Sequence, residues 1–260
     1  LTDRGYDITY MSGAKIIGNR MGYYGFDNFF STHGRVQIED RDTIPTPRTA
    51  GFGPDDWGDW GIFDSELLDG ARNLIDAKAK AEKPFAVFIA TMDSHGPAAT
   101  ISPACSATGE PRIGEDMRET IQCVSGMARD FVEDLFAEHG DDLRIAVFSD
   151  HLNHAGNLTS LLEQKTRYNT AMLLGGATAP RVIEKPGSMV DLYPTILDWL
   201  SLLSPDDPRA GLGVSLLSNQ PTVIETRGLE EVNVTLRVDT ELARHLWRNA
   251  DAAPTLTTAP

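Results

Sequence analysis

The chain has 260 residues and a mass of 28.4 kDa, and is 41% apolar and 23% charged, the balance of a globular fold able to bury one substantial core. Its formal net charge is −15, from 38 acidic and 23 basic residues, and Lys and Arg form no run. Such a surface works against nucleic acid, so no nucleic-acid partner is expected. No stretch approaches the roughly 18 uninterrupted apolar residues of a membrane span.

In chain order, Asp7–Met11 reads as a short strand ending in a Ser12-Gly13 turn. The opening at Leu1, so close to that strand, is expected to leave the fold incomplete at its N-terminus. Residues 18–62, rich in Gly, Asp, Pro and aromatics, read as irregular structure over a site. A helix starts at Asp64, read as its N-cap, with Leu67, Leu68, Ala71, Leu74 and Ile75 on one face. The run Pro84–Ala90 predicts a strand buried on both faces, and residues 97–113 a loop. A second helix places Met117, Ile121, Val124, Ala128, Phe131, Val132 and Leu135 inward. Leu143–Phe148 and Tyr168–Leu174 read as further strands, Val190–Leu203 as a helix, and 221–238 as one or two edge strands.

This alternation predicts an α/β fold with a largely parallel central sheet and helices on both faces. Residues 1–220 are expected to form the main domain, 221–250 edge strands and a helix, and 251–260 a disordered tail.

Two strands end in polar clusters, Thr91-Met92-Asp93-Ser94-His95-Gly96 and Ser149-Asp150-His151-Leu152-Asn153-His154. Sites in open parallel sheets form beyond the carboxyl ends of strands, so the two clusters can converge. Asp150-His151 reads either as an N-cap Asp beside a surface His or as two ligands of a divalent cation such as Mn²⁺ or Zn²⁺. His95 reads either as a loop histidine bonded to backbone or as a donor to an anionic substrate oxygen. Lys15 and Arg20 are surface charges or phosphate contacts. Cys105 and Cys123 could be unrelated thiols or, in an oxidising compartment, one closed loop. Neither a Gly-x-Ser-x-Gly elbow nor a Cys-x-Pro-x-Arg segment occurs, so the residues offer no nucleophile.

Taken together the motifs resemble phosphoglycerol transferases of the alkaline-phosphatase/sulfatase-like superfamily. Trp60-Gly-Ile-Phe-Asp-Ser-Glu-Leu-Leu-Asp69 is similar to the Trp-Gly-x-x-Asp-x-x-Leu-x-Asp segment of lipoteichoic acid synthases and glucan phosphoglycerol transferases, and Gly25-Phe26-Asp27 to the segment before it. Pro84–His95 resembles the strand leading to a substrate-contacting His, and Val147-Phe-Ser-Asp150-His151 the metal-binding Ser-Asp-His. Val190–Asp198 and Gly211–Leu217 are similar to the C-terminal half of sulfatase-like proteins. Ile101-Ser-Pro-Ala-Cys105 with Gln122-Cys123 is closest to the Gram-negative branch, which modifies osmoregulated periplasmic glucans.

The resemblance implies an alkaline-phosphatase/sulfatase-like fold and transfer of phosphoglycerol from phosphatidylglycerol, at the periplasmic face of the inner membrane, to a glucan acceptor. It implies Asp150 and His151 as ligands of a divalent metal (Mn²⁺, with Zn²⁺ or Mg²⁺ as alternatives), His95 as catalytic and substrate-binding, Arg20 as substrate-binding, and a Cys105–Cys123 disulfide. It places a nucleophilic Thr and a first metal ligand ahead of Leu1, so these 260 residues alone are expected to be inactive. A sulfatase, a phosphoethanolamine transferase or a non-catalytic glucan- or anion-binding remnant are the alternatives.

Overall fold

The structure, a computed structural model, describes residues 1–14, 30, 34–45, 61–96, 99–154, 156, 158–176 and 179–241. These fall into two compact units. One holds Leu1–Leu135 and His154–Gln164, and the other Phe136–Asn153 with the described residues from Lys165 onward. Among the described residues no helix is long and apolar enough to cross a membrane.

The first unit is organised by three parallel strands in the order β2-β1-β3: β1 (Asp7–Ser12), β2 (Val36–Glu39) and β3 (Phe85–Ala90). Central β1 is buried from Ile8 to Ser12, as expected of a strand paired on both sides. β3, read from sequence as buried on both faces, is only half-buried, and Phe88 is exposed. It pairs with β1 alone among the described strands, so its other side has no ladder there. β2 lies where the sequence suggested irregular structure. Its Val-Gln-Ile-Glu is too short for a periodicity argument and becomes a strand by pairing with β1.

Helix α1 (Asp64–Ala79) connects β2 to β3 across β1, a crossover of the kind parallel strands require. It buries Leu67, Leu68, Ala71 and Ile75, four of the five apolar positions anticipated. Buried Lys78 pairs with Asp7 at 2.8 Å, pinning the end of α1 to the start of β1. The expected loop over 97–113 instead holds β4 (Ala99–Ile101), a 3₁₀ turn at Pro103–Cys105, and the start of β5 (Arg112–Glu115), antiparallel to β4. Helix α2 (Met117–His139) buries Met117, Thr120, Cys123, Phe131 and Leu135, while Ile121 is exposed. The inward stripe is thus rotated slightly from the one the apolar residues alone suggest. Ala99, Met117 and Leu158 form a small buried cluster, covered by Leu162 from the short helix α3 (Thr159–Leu162).

In the second unit β6 (Ile145–Phe148) and β7 (Ala171–Leu174) pair antiparallel, and Phe148 and Met172 are exposed. The strand reading of this stretch therefore meets a two-stranded antiparallel pair, with β6 half-buried rather than sandwiched. Helix α4 (Met189–Trp199) opens with a Ser188/Asp191 capping box. Buried Asp191 also accepts the Val214 N–H at 2.8 Å, and Thr195 Oγ1 accepts the Leu216 N–H at 2.8 Å. These bonds lock α4 to the small β8 (Arg209–Ala210) and β9 (Gly213–Val214) ladder.

The edge strands expected over 221–238 are helices, α5 (Val223–Arg227) and α6 (Leu229–Val238). The alternation Val232-x-Val234-x-Leu236-x-Val238 imitates a strand, but Thr222 and Glu225 form a capping box that starts a helix. The tail beyond 251 lies outside the described residues.

Candidate active site

The carboxyl ends of β1, β2 and β3 lie together, and the chain leaves β1 for β2 on one side before crossing to β3 on the other. That reversal is where open α/β sheets form binding crevices. Gly61 returns to the end of β1. Its φ is +147°, and a Cβ on it would lie 1.9 Å from the Gly13 carbonyl oxygen, so only glycine fits. The Ile62 N–H donates to that oxygen at 3.1 Å, which sets the first turn of α1 beside the carboxyl edge of the sheet.

Asp64 does not cap its own helix; Phe63 occupies the cap position. The Asp64 carboxylate instead reaches across to the loop after β3, accepting the Met92 N–H at 2.6 Å and the Asp93 N–H at 3.1 Å. Asp93 reciprocates: its carboxylate accepts the Asp64 N–H at 3.2 Å and the Ser102 hydroxyl. Ser102 Oγ accepts the Ser65 N–H at 3.4 Å, and the Thr100 N–H donates to the Asp93 carbonyl at 3.1 Å. Asp64 and Ser102 are fully buried and Asp93 is 5% exposed. Burial raises Asp64 to about 6 against the two N–H bonds that lower it. Burial, followed by the charge of Asp64, raises Asp93 to about 7, against the Ser102 hydrogen bond. Glu66 adds to the upward push on Asp93.

His95 ends the turn so fixed. Its N–H donates to the Met92 carbonyl at 2.9 Å, and its Nδ1 lies 2.7 Å from the Gly96 carbonyl. A carbonyl only accepts, so Nδ1 carries the proton. The ring is half-buried, and contact with a substrate oxygen would run through Nε2.

Asp150 and His151 follow β6 in the second unit. The His151 N–H donates to Asp150 Oδ1 at 2.9 Å, and His151 Nδ1 donates to the Leu152 carbonyl at 2.9 Å. Asp150 Oδ2 and His151 Nε2 are 3.4 Å apart. Two ligand atoms each about 2.1 Å from one ion, at about 90–110° to each other, lie about 3.0–3.4 Å apart. The carboxylate oxygen and the imidazole nitrogen that lacks a proton therefore fit one divalent cation, with the opposite ring nitrogen tied to a carbonyl as metal-binding histidines usually are.

Cys105 and Cys123 are joined in a disulfide with Cα atoms 5.8 Å apart, tying the 3₁₀ turn after Ser102 to α2. Lys15 and Arg20 lie outside the described residues. Asp64, Asp93 and Ser102 escaped the sequence reading as a connected group. Asp64 resembled a helix cap, and its partners lie 28 and 29 residues away, across the sheet.

The chain matches the Sulfatase family over residues 1–202, most of its length, and belongs to that family, with its alkaline-phosphatase/sulfatase-like fold. It is 30% identical over 226 residues to phosphoglycerol transferase I of Xanthomonas euvesicatoria pv. vesicatoria, covering 84% of this chain and 30% of the relative. Over 224 residues it is 26% identical to phosphoglycerol transferase I of Salmonella typhi, covering 85% of this chain and 28% of that one. The chain thus spans under a third of the length of these curated relatives. Among solved structures, the lipoteichoic acid synthase LtaP of Listeria monocytogenes superposes with a TM-score of 0.57 at 17% identity, over 78% of this chain and 52% of that one.

Proposed function

We propose that the protein transfers phosphoglycerol from phosphatidylglycerol to a periplasmic glucan hydroxyl, with Asp150 and His151 as metal ligands and His95 at the transferred group. The observation that carries this reading is the 3.4 Å pairing of Asp150 Oδ2 with His151 Nε2, its Nδ1 anchored to Leu152, directly after a strand. The names of the similar curated proteins support the choice of group transferred. A divalent ion bound there, Mn²⁺ first and Zn²⁺ or Mg²⁺ next, would neutralise phosphoryl charge and acidify a nucleophilic hydroxyl.

In the first half-reaction a threonine alkoxide, supplied by sequence outside these 260 residues and already relieved of its proton to solvent, bonds to phosphorus as the bond to the diacylglycerol oxygen breaks. In the second it leaves again as the alkoxide. His95 as imidazolium donates its Nε2 proton to that leaving oxygen while Nδ1–H stays on the Gly96 carbonyl. In the second half-reaction neutral His95 accepts the proton of the glucan hydroxyl as that oxygen displaces the threonine. Arg20 and the periplasmic face of the membrane belong to the same proposal, as does inactivity of these residues alone.

Diacylglycerol release from phosphatidylglycerol vesicles with Mn²⁺ tests the proposal, using the chain joined to the sequence that supplies the threonine. Turnover that is lost with Asp150→Ala, His151→Ala or His95→Ala is expected. Turnover indifferent to the first two substitutions overturns the metal assignment.

A further inference from the structure

Asp64, Asp93 and Ser102 are buried and bonded to one another, so none can meet a substrate. Two carboxyl groups in one dry space are a costly fastener, since each disfavours ionisation of the other, and neutral side chains could also have accepted these N–H bonds. What they fasten is the segment that ends in His95. Asp64 holds the N–H groups of Met92 and Asp93, Ser102 and Thr100 hold Asp93, and Met92 in turn holds the His95 N–H. The imidazole is then anchored one residue on, at the Gly96 carbonyl.

We infer that Asp64, Asp93 and Ser102 are positioning residues for His95, a buried clasp that sets how the imidazole stands at the carboxyl edge of the sheet. The structural claim is independent of the reading of His95 as a phosphoryl contact; only its consequence for turnover rests on that reading. Among the described residues, the ionisable groups around the clasp are Asp64 and Glu66 from α1, and Asp93 and His95 from the turn. The β4 side brings Thr100 and Ser102, which do not ionise. Burial raises both aspartates toward neutrality, so the clasp takes up a proton as the pH falls through about 7 to about 6. That proton relieves the repulsion between the carboxylates and weakens one of them as an acceptor for the Met92–Asp93 backbone. The change is passed along the turn to the ring.

An NMR titration of the His95 ring between about pH 5 and about pH 8.5 tests this in the full chain. Wild type is expected to show two steps at the His95 resonances, one from the imidazole and one from the clasp. Asp93→Asn should remove the Asp93 contribution and leave that of Asp64, and Asp64→Asn/Asp93→Asn should remove the clasp step altogether. Ser102→Ala should move the clasp step to higher pH, because the Ser102 hydroxyl holds Asp93 down. A single step in wild type overturns the inference without recourse to any variant, and so do two steps that survive Asp64→Asn/Asp93→Asn. In the transfer assay Asp93→Asn should lower kcat about tenfold with KM within about twofold, the signature of a misplaced group rather than lost binding. Unchanged transfer in His95→Ala would count against the phosphoryl-contact reading, whereas the two-step titration answers for the clasp alone.

Discussion

The two histidine-bearing loops are built in opposite ways. The turn ending in His95 grows from a buried network in which Asp64, Asp93 and Ser102 close long-range bonds between α1, β3 and β4. Asp150 and His151 stand at the surface, with side chains 83% and 47% exposed, and the bonds that shape their loop run to adjacent residues. Chain packing alone preorganises the first, at the cost of two raised carboxyl groups. The second is shaped by short-range bonds alone, and under the proposed metal reading a cation would supply the remaining order. A group that must meet a phosphoryl oxygen at a defined angle suits the first design, and a metal ligand suits the second.

Substitutions sharpen the contrast. Asp150→Ala or His151→Ala is expected to weaken Mn²⁺ binding by roughly 100-fold or more in a calorimetric titration, while changing unfolding free energy by less than about 0.5 kcal/mol. Asp64→Ala should do the reverse. Divalent affinity should stay within about twofold, whereas two buried N–H groups lose their acceptor, at about 2–4 kcal/mol in urea unfolding at neutral pH. Replacing both Cys105 and Cys123 with Ser should remove about 3 kcal/mol, by opening an 18-residue span that braces the chain just after Ser102. It should leave metal affinity unchanged.

A further effect, no larger than these, is in pH dependence. Asp64 and Asp93 hold their protons to higher pH in the folded chain than in the unfolded one, so the folded state binds more protons between about pH 4 and about pH 7. Their contribution to stability is complete below about pH 4 and is lost as the pH rises through about 6 to 7. Wild type should therefore lose stability relative to Asp93→Asn, on the order of 2–3 kcal/mol, between pH 5 and pH 8. A flat difference between the two would mean that the aspartates do not titrate in this window.

What the sequence made legible was local. The apolar spacing of α1, the strand character of β1, β3 and β6, and the polar clusters at His95 and Asp150-His151 were all readable from neighbours along the chain. The misses came where a distant partner or a competing local signal decides. β2 is four residues long and is a strand because β1 lies beside it. Asp64 looks like a helix cap until the turn at Met92 and Asp93 is brought against it. In α6 the alternating valines imitate a strand, and the Thr222/Glu225 capping box that starts the preceding helix α5 was outweighed by that alternation. The buried half of the candidate site was hidden for the same reason as β2, since carboxylate-to-backbone bonds across 28 residues leave no periodic trace.

The proposal that His95 and the Asp150-His151 pair serve one metal-dependent site is open to a direct measurement that needs no turnover. Mn²⁺ is paramagnetic and broadens the resonances of nearby nuclei, so substoichiometric Mn²⁺ can be added while the ring signals of His95 and His151 are followed. Both should broaden together at the same low occupancy, and both should stay sharp in Asp150→Ala. Broadening of His151 with a sharp, unshifted His95 would place the imidazole away from the metal and contradict the shared site.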